Sequence, residues 1–151
     1  MDRLQMEWTR MQRHGSELSF IMADIDHVKL VNDSYGHSIG DKVLREVAQM
    51  IAKQCRESNL PARYGGKEFA VVVPNEAAYG AIHLADHCRL EIEKSNLSVN
   101  GKLIRPIASF GVADAVGVPS AYLLVDHAEQ ALYRANTAGR NRVAMWPKGS
   151  R

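Results

Sequence analysis

The chain has 151 residues, 46% apolar and 24% charged, with a formal net charge of +2. That length suits one domain with a single core, and the composition is ordinary for a globular protein. So small and dispersed a charge argues against a nucleic-acid or anionic-membrane partner, and nothing approaches the roughly 18 consecutive apolar residues of a membrane span. The opening Met1-Asp2-Arg3-Leu4-Gln5 lacks the charged-then-apolar layout of a signal peptide. Cys55 and Cys88 lie on helix-like stretches without CxxC spacing and read as reduced core residues, which suits the cytoplasm.

From Asp2 to about Arg13 the chain is polar, with Leu4, Met6, Trp8 and Met11 spread around it. We expect a surface helix here, the end of a connector from an upstream domain, so that residues 1–14 are a connector and 15–151 the domain proper. Leu18 to Ala23 is apolar on both faces, as a central strand is, and ends in Asp24-Ile25-Asp26. If both acids are extended they share a side; if a helix begins between them they point apart. Val28, Leu30 and Val31 announce a helix running to the Gly36 region, whose unpaired N–H groups would lie beside Asp24, a place suited to phosphate.

Ser38 followed by Asp41 has the spacing of a capping box, and Leu44, Val47, Ala48, Ile51 and Cys55 then fall at helical intervals. Ala62 to Tyr64 and Phe69 to Val73 read as two arms of a hairpin around a two-residue Gly65-Gly66 turn. The charges of Lys67 and Glu68 thus stand where a hairpin tip enters an apolar sheet, facing either a ligand or solvent. Asn75 is expected to cap a helix with Ala78, Ile82, Ala85 and Ile92 on its buried stripe. Asn100-Gly101 signals a second hairpin, and Ala108 to Ala113 a further strand. Pro119-Ser120 opens a last helix with Leu124, Ala128, Ala131, Leu132 and Ala135 facing the core. Gly139 ends it, and Val143 to Trp146 is a final strand. The sum is one α+β domain, a central mixed β-sheet flanked by helices.

These residues also form a pattern. Asp24-Ile25-Asp26-His27-Val28-Lys29, Asn32-Asp33, Gly36-His37, Gly40-Asp41 and Arg63-Tyr64-Gly65-Gly66-Lys67-Glu68-Phe69 occur in that order. Ser109-Phe110-Gly111-Val112, Ala131 to Ala135 and Gly139-Arg140-Asn141-Arg142 follow. Together they resemble the GGDEF domain of bacterial diguanylate cyclases. The resemblance implies a polymerase-palm-like, nucleotide-cyclase-like fold in the bacterial cytoplasm. It also implies a reaction in which two GTP-loaded domains meet, each 3′-hydroxyl attacking the other's α-phosphate to give cyclic di-GMP and pyrophosphate. Mg²⁺ held on carboxylates is the cofactor implied, a dimer with the same or another GGDEF domain the partnership, and a sensor or receiver domain the upstream neighbour. The family's usual opening, an aspartate-rich turn leading into Asn-Arg, is absent, which points to a fragment or to a missing upstream partner.

By position, the resemblance makes Asp24 a metal ligand, helped by the Ile25 carbonyl. Asn32 and Asp41 become guanine contacts, and Lys29, Arg140 and the amides around His27 and Val28 the triphosphate cradle. Three positions depart from the pattern. Lys67 replaces the second acidic metal ligand. At about 4 Å and an effective dielectric near 20 each unit charge pair is worth about 4 kcal/mol, so exchanging an acid for an ammonium is a large swing against metal binding. Glu68 remains, but is expected to turn to the other face of the strand. Asn136 stands where the family has a phosphate-binding lysine. At the inhibitory cyclic di-GMP site Arg56 is kept but Asn59 replaces an aspartate, so only weak product binding is expected.

The sequence-level reading is therefore an impaired cyclase-like domain that binds GTP or a related guanine nucleotide as a regulatory or dimerisation module. A working cyclase and a ligand-free scaffold are the alternatives. His37 is read as bracing the Gly36 turn, Tyr133 as core, and His83 with His87, four apart on one helix, as a possible chance metal pair, the glutamate of an HExxH motif being absent.

Overall fold

The computed structural model describes residues 2–64, 66 and 68–146, with the side chains of Asp2 and Lys29 left out. In chain order the elements are α1 (Asp2–His14), β1 (Leu18–Ile25), α2 (Val28–Tyr35), α3 (His37–Gln54), β2 (Leu60–Arg63), β3 (Glu68–Pro74), α4 (Ala78–Lys94), β4 (Leu97–Val99), β5 (Lys102–Ile104), β6 (Ala108–Asp114), α5 (Ala121–Thr137) and β7 (Val143–Met145).

All eight residues of β1 are buried, because it lies at the centre of a five-stranded sheet ordered β2-β3-β1-β6-β7. It pairs antiparallel with β3 and with β6, while β6 and β7 run parallel, so the sheet is mixed as expected. Its alternation divides the core in two. Ile21, Ala23 and Ile25 face α3 and α4, packing with Val43, Val47, Ala85 and Ile92. Leu18, Phe20 and Met22 face the other way, against Leu124, Ala128 and Leu132 of α5 and Leu4 and Trp8 of α1. Leu4 and Trp8 are one turn apart, so α1 lays a short apolar stripe on the sheet as well as leading into it.

The expected stripe of α5 is buried as read: Leu124, Ala128, Ala131, Leu132 and Ala135. Ser120 caps the helix, its hydroxyl accepting from the Leu123 amide at 3.2 Å. Gly111 lets this helix approach β6, since a Cβ there would lie 2.3 Å from both the Ala128 carbonyl oxygen and the Leu132 nitrogen. The Asn100-Gly101 turn forms between β4 and β5 with both residues at positive φ, 51° and 79°.

Several local expectations are corrected. Ser38 does not cap α3, which already begins at His37. Gly36, at φ 94°, makes the corner, its amide closing α2 on the Asn32 carbonyl and its carbonyl receiving the Gly40 amide. Asn75 does not cap α4 either. It sits left-handed at φ 62° with its amide on the Glu17 carbonyl, and the helix starts after Ala77. The hairpin tip is not a two-residue turn. Arg63 pairs with Phe69 and the Tyr64 amide donates to the Glu68 carbonyl, which leaves three residues between the arms. Two of those three, Gly65 and Lys67, lie outside the described residues. Tyr133, expected in the core, is 68% exposed, because position 133 falls on the outer face of α5 between the buried Leu132 and Ala135. No helix among the described residues is long and apolar enough to cross a membrane.

Candidate functional site

The site lies where the end of β1 meets the start of α2, the end of α5 and the loop into β7. Asp24 continues the Leu18–Phe20–Met22 alternation and therefore faces α5. It is 5% exposed, and its Oδ2 accepts from Asn136 Nδ2 at 3.5 Å. Glu68 stands directly opposite Asp24 in the β1–β3 register, and directly opposed residues of an antiparallel pair project to one face. The expectation that Glu68 turns away from the site is thus corrected. β3 begins at Glu68, so its pleat is phased by Phe69 in the α3–α4 core, and Glu68 takes the face that Asp24 occupies.

The open question about Asp24 and Asp26 is settled by where the strand stops. β1 extends through Ile25 and α2 starts only at Val28, so both acids reach the end of α5. The Asp26 side chain is wholly buried and takes four interactions. Ser109 Oγ donates to it at 3.1 and 3.3 Å, Arg140 Nη1 at 3.3 Å and the Asn141 amide at 3.3 Å. Arg140 remains 44% exposed, a cation held at the surface by a carboxylate beneath it. The helix behind it ends in a left-handed corner, with Gly139 at φ 131° and the Arg140 amide donating to the Ala135 carbonyl.

His27 precedes α2 in the left-handed region at φ 64°, and its carbonyl accepts the Val31 amide at 3.1 Å. The amides of Val28, Lys29 and Leu30 therefore come before the first intrahelical bond, the arrangement from which helix starts bind anions. Asp26, His27 and Val28 border a cavity of about 240 Å³ between α2, the start of α3 and residues 103–107. Asn32 and Asp41 do not line it. Instead Asn32 rests on the start of α3, where a Cβ on Gly40 would lie 1.8 Å from its Oδ1, next to the exposed Asp41. The Lys29 side chain and Lys67 lie outside the described residues.

A divalent ion asks for several oxygen ligands. Here Asp24 and Glu68 share a face, while Asp26 is already committed to Arg140, Ser109 and Asn141. Among the described residues no cluster of three or more His, Cys, Asp or Glu is placed to hold a metal.

Arg56 and Asn59, the positions of the expected inhibitory site, do border one cavity, about 240 Å³, together with Glu76, His83 and His87. Both are already engaged. Asn59 is 7% exposed and its Oδ1 accepts the Arg56 amide at 2.8 Å, while Arg56 Nη1 lies 3.3 Å from Glu76 Oε2.

Sequence reasoning gave no site role to Asp26, Ser109, Asn141 or Arg89. A signal existed for Ser109, a polar residue with 0% exposure inside an otherwise apolar strand, since a buried hydroxyl needs a partner. Arg89 offered none, because its contacts to the α5–β7 loop are purely tertiary.

A family model described as "Diguanylate cyclase, GGDEF domain" matches residues 1–142. Diguanylate cyclase A of Treponema denticola is 41% identical over 129 residues, 85% of this chain and 35% of that protein. The response regulator PleD of Caulobacter vibrioides is 37% identical over 134 residues, 85% of this chain and 29% of that protein. This chain thus spans about a third of the length of these curated relatives. Among solved structures, the GGDEF domain of DgcB from Caulobacter crescentus, in complex with c-di-GMP, superposes with a TM-score of 0.91 at 32% identity, covering 95% of this chain and 86% of that one. The active GGEEF domain of a diguanylate cyclase from Vibrio cholerae superposes with a TM-score of 0.90 at 29% identity, covering 98% and 94%.

Proposed function

This chain belongs to the GGDEF family of diguanylate cyclase domains, and from that premise we propose that it is a guanine-nucleotide-binding module of cyclic di-GMP signalling whose turnover is impaired. In this reading the amides at the start of α2, the Lys29 ammonium and Arg140 hold the triphosphate, and Asn32 and Asp41 contact the guanine. Asp24 with the Ile25 carbonyl is what remains of a metal site. Mg²⁺, where bound, would neutralise phosphate charge and lower the barrier to deprotonating the attacking hydroxyl.

The composition of the β1 end carries the proposal. Asp26 is taken up by Arg140, Ser109 and Asn141, and the signature puts Lys67 where the family has an acid. An ammonium in place of that acid attracts phosphate and repels a divalent ion, so binding is kept and conversion is lost. The domain then works by pairing with another GGDEF domain, with α1 as the link to an upstream sensor or receiver domain in a longer cytoplasmic protein.

One observation favours a second reading, a working cyclase: Glu68 faces the site from directly opposite Asp24 and supplies a second carboxylate there. Two measurements separate the readings. GTP titrated with and without Mg²⁺ should bind in both cases, and incubation with GTP and Mg²⁺ or Mn²⁺ should yield no cyclic di-GMP by chromatography. Robust product would establish the cyclase. Loss of all thermal shift with GTP, GDP and cyclic di-GMP would leave a ligand-free scaffold.

A further inference from the structure

The loop after α5 holds three successive residues at positive φ: Gly139 at 131°, Arg140 at 66° and Asn141 at 48°. Glycine accepts such a conformation readily, but arginine does not, and a side-chain-bearing residue stays there only where its surroundings over-determine it. Two sets of contacts do so. From below, Asp26 and Ser109 accept the Asn141 amide at 3.3 and 3.1 Å. From the side, α4 grips Asn141 itself: Arg89 Nη1 donates to its carbonyl at 3.5 Å and to its Oδ1 at 3.4 Å, and its Nδ2 donates to Glu93 Oε2 at 2.9 Å. Arg89 is 17% exposed and is steadied in turn by Asp86 at 2.9 Å and Glu93 at 3.4 Å.

We propose that Arg89, with Glu93, is a positioning residue: acting through Asn141, it fixes the left-handed backbone that places the Arg140 guanidinium over Asp26, ready to receive a phosphate. Arg89 sets where the cation stands. The inference rests on the reading of Arg140 as a phosphate holder, and it adds that a helix on the opposite face of the sheet from α5 decides whether that cation is in place. The guanidinium matters, because its Nε holds Asp86 while its Nη1 serves Asn141 and Glu93, two separate donor positions that a single lysine ammonium does not reproduce.

The test uses the full chain and the variants R89Q, R89K, R140A and the R89Q/R140A pair. Backbone chemical shifts of Arg140 and Asn141, measured without ligand, read the conformation directly. R89Q should move them from left-handed towards right-handed values, and R89K should do so almost as far. Unchanged shifts in R89Q would overturn the proposal whatever nucleotide binding does. In titrations, R140A should weaken GTP by about tenfold or more, the scale of a charge-assisted hydrogen bond, while leaving guanosine unaffected. R89Q should lower GTP affinity in the same sense, again sparing guanosine, and should have no further effect in the R140A background. A loss from R89Q that persists in the R140A background would mark Arg89 as a general structural residue and sink the proposal. Full GTP affinity in R140A would instead defeat the phosphate reading, and the chemical shifts would still decide the positioning role.

Discussion

The carboxylate of Asp26, with 0% side-chain exposure, lies 3.3 Å from the Arg140 guanidinium, which is 44% exposed. One partner is buried and fixed, the other reaches solvent, so the pair presents a cation outward from a rigid anchor. The same carboxylate accepts from Ser109 and from the Asn141 amide, tying β1, β6 and the α5–β7 loop together.

Asp26→Asn should therefore destabilise the fold. The amide has one acceptor oxygen where the carboxylate has two, and its NH₂ would face the Ser109 and Asn141 donors. The half-exposed Arg140 regains water, which limits the loss to about 2 kcal/mol, the scale of a charged hydrogen-bond set with an unmet donor. The midpoint of urea unfolding measures it, and an unchanged midpoint would show that Asp26 carries no such load.

Lys67→Glu should restore what the signature lacks. With acids at 24, 67 and 68, cyclic di-GMP should appear on incubation with GTP and Mg²⁺, and metal dependence should return to nucleotide binding. If the variant binds GTP but stays silent, the defect lies elsewhere, with Asn136 the next position to exchange for lysine.

At the second cavity, Asn59→Asp and Glu76→Gln should each strengthen cyclic di-GMP binding. An aspartate at 59 can still accept the Arg56 amide while offering a second oxygen to guanine donors, and removing the Glu76 charge releases the Arg56 guanidinium. Stability should hardly move on loss of the Arg56–Glu76 pair, since exposed ion pairs are worth about 0–1 kcal/mol. Calorimetric titration with cyclic di-GMP reads both variants.

Gly111→Ala should be among the most damaging single-methyl changes in the chain. The new Cβ would meet α5 backbone atoms 2.3 Å away, which cannot rotate aside as a side chain would. Prising α5 from β6 should cost about 1–3 kcal/mol or more, visible as a lowered melting temperature.

Alkaline pH should weaken the fold through its two thiols. Burial pushes Cys55 from the ordinary 9.0 up to about 11, and burial, with Cys55 nearby, pushes Cys88 up to about 12. The unfolded chain ionises first, so the thiol contribution is intact below pH 9 and is lost as the pH rises from there towards 11–12. Melting temperature followed from pH 8 to 11 should fall more steeply in this chain than in a Cys55→Ser/Cys88→Ala variant. In the folded protein both thiols should react slowly with alkylating reagents at pH 8.

What the sequence determined by itself is whatever short-range chemistry and motif order encode. The apolar run of Leu18–Ala23, the Asn100-Gly101 turn and the five-residue stripe of α5 are local patterns, and each is found where it was read. The ordered motifs from Asp24 to Arg142 point to the family that the comparisons show. The local readings that failed, the caps at Ser38 and Asn75 and the two-residue turn, are those where a positive-φ corner or the strand register overrode side-chain preference. Only the tertiary structure decided which acids face the site and which cation is anchored. Asp26 and Arg140 are 114 positions apart, and Asn141 and Glu93 are 48 apart. The face taken by Glu68 depends on its register with Asp24 across the sheet. Such pairings follow from how strands align and how helices seat on them, and no window of neighbouring residues carries that information.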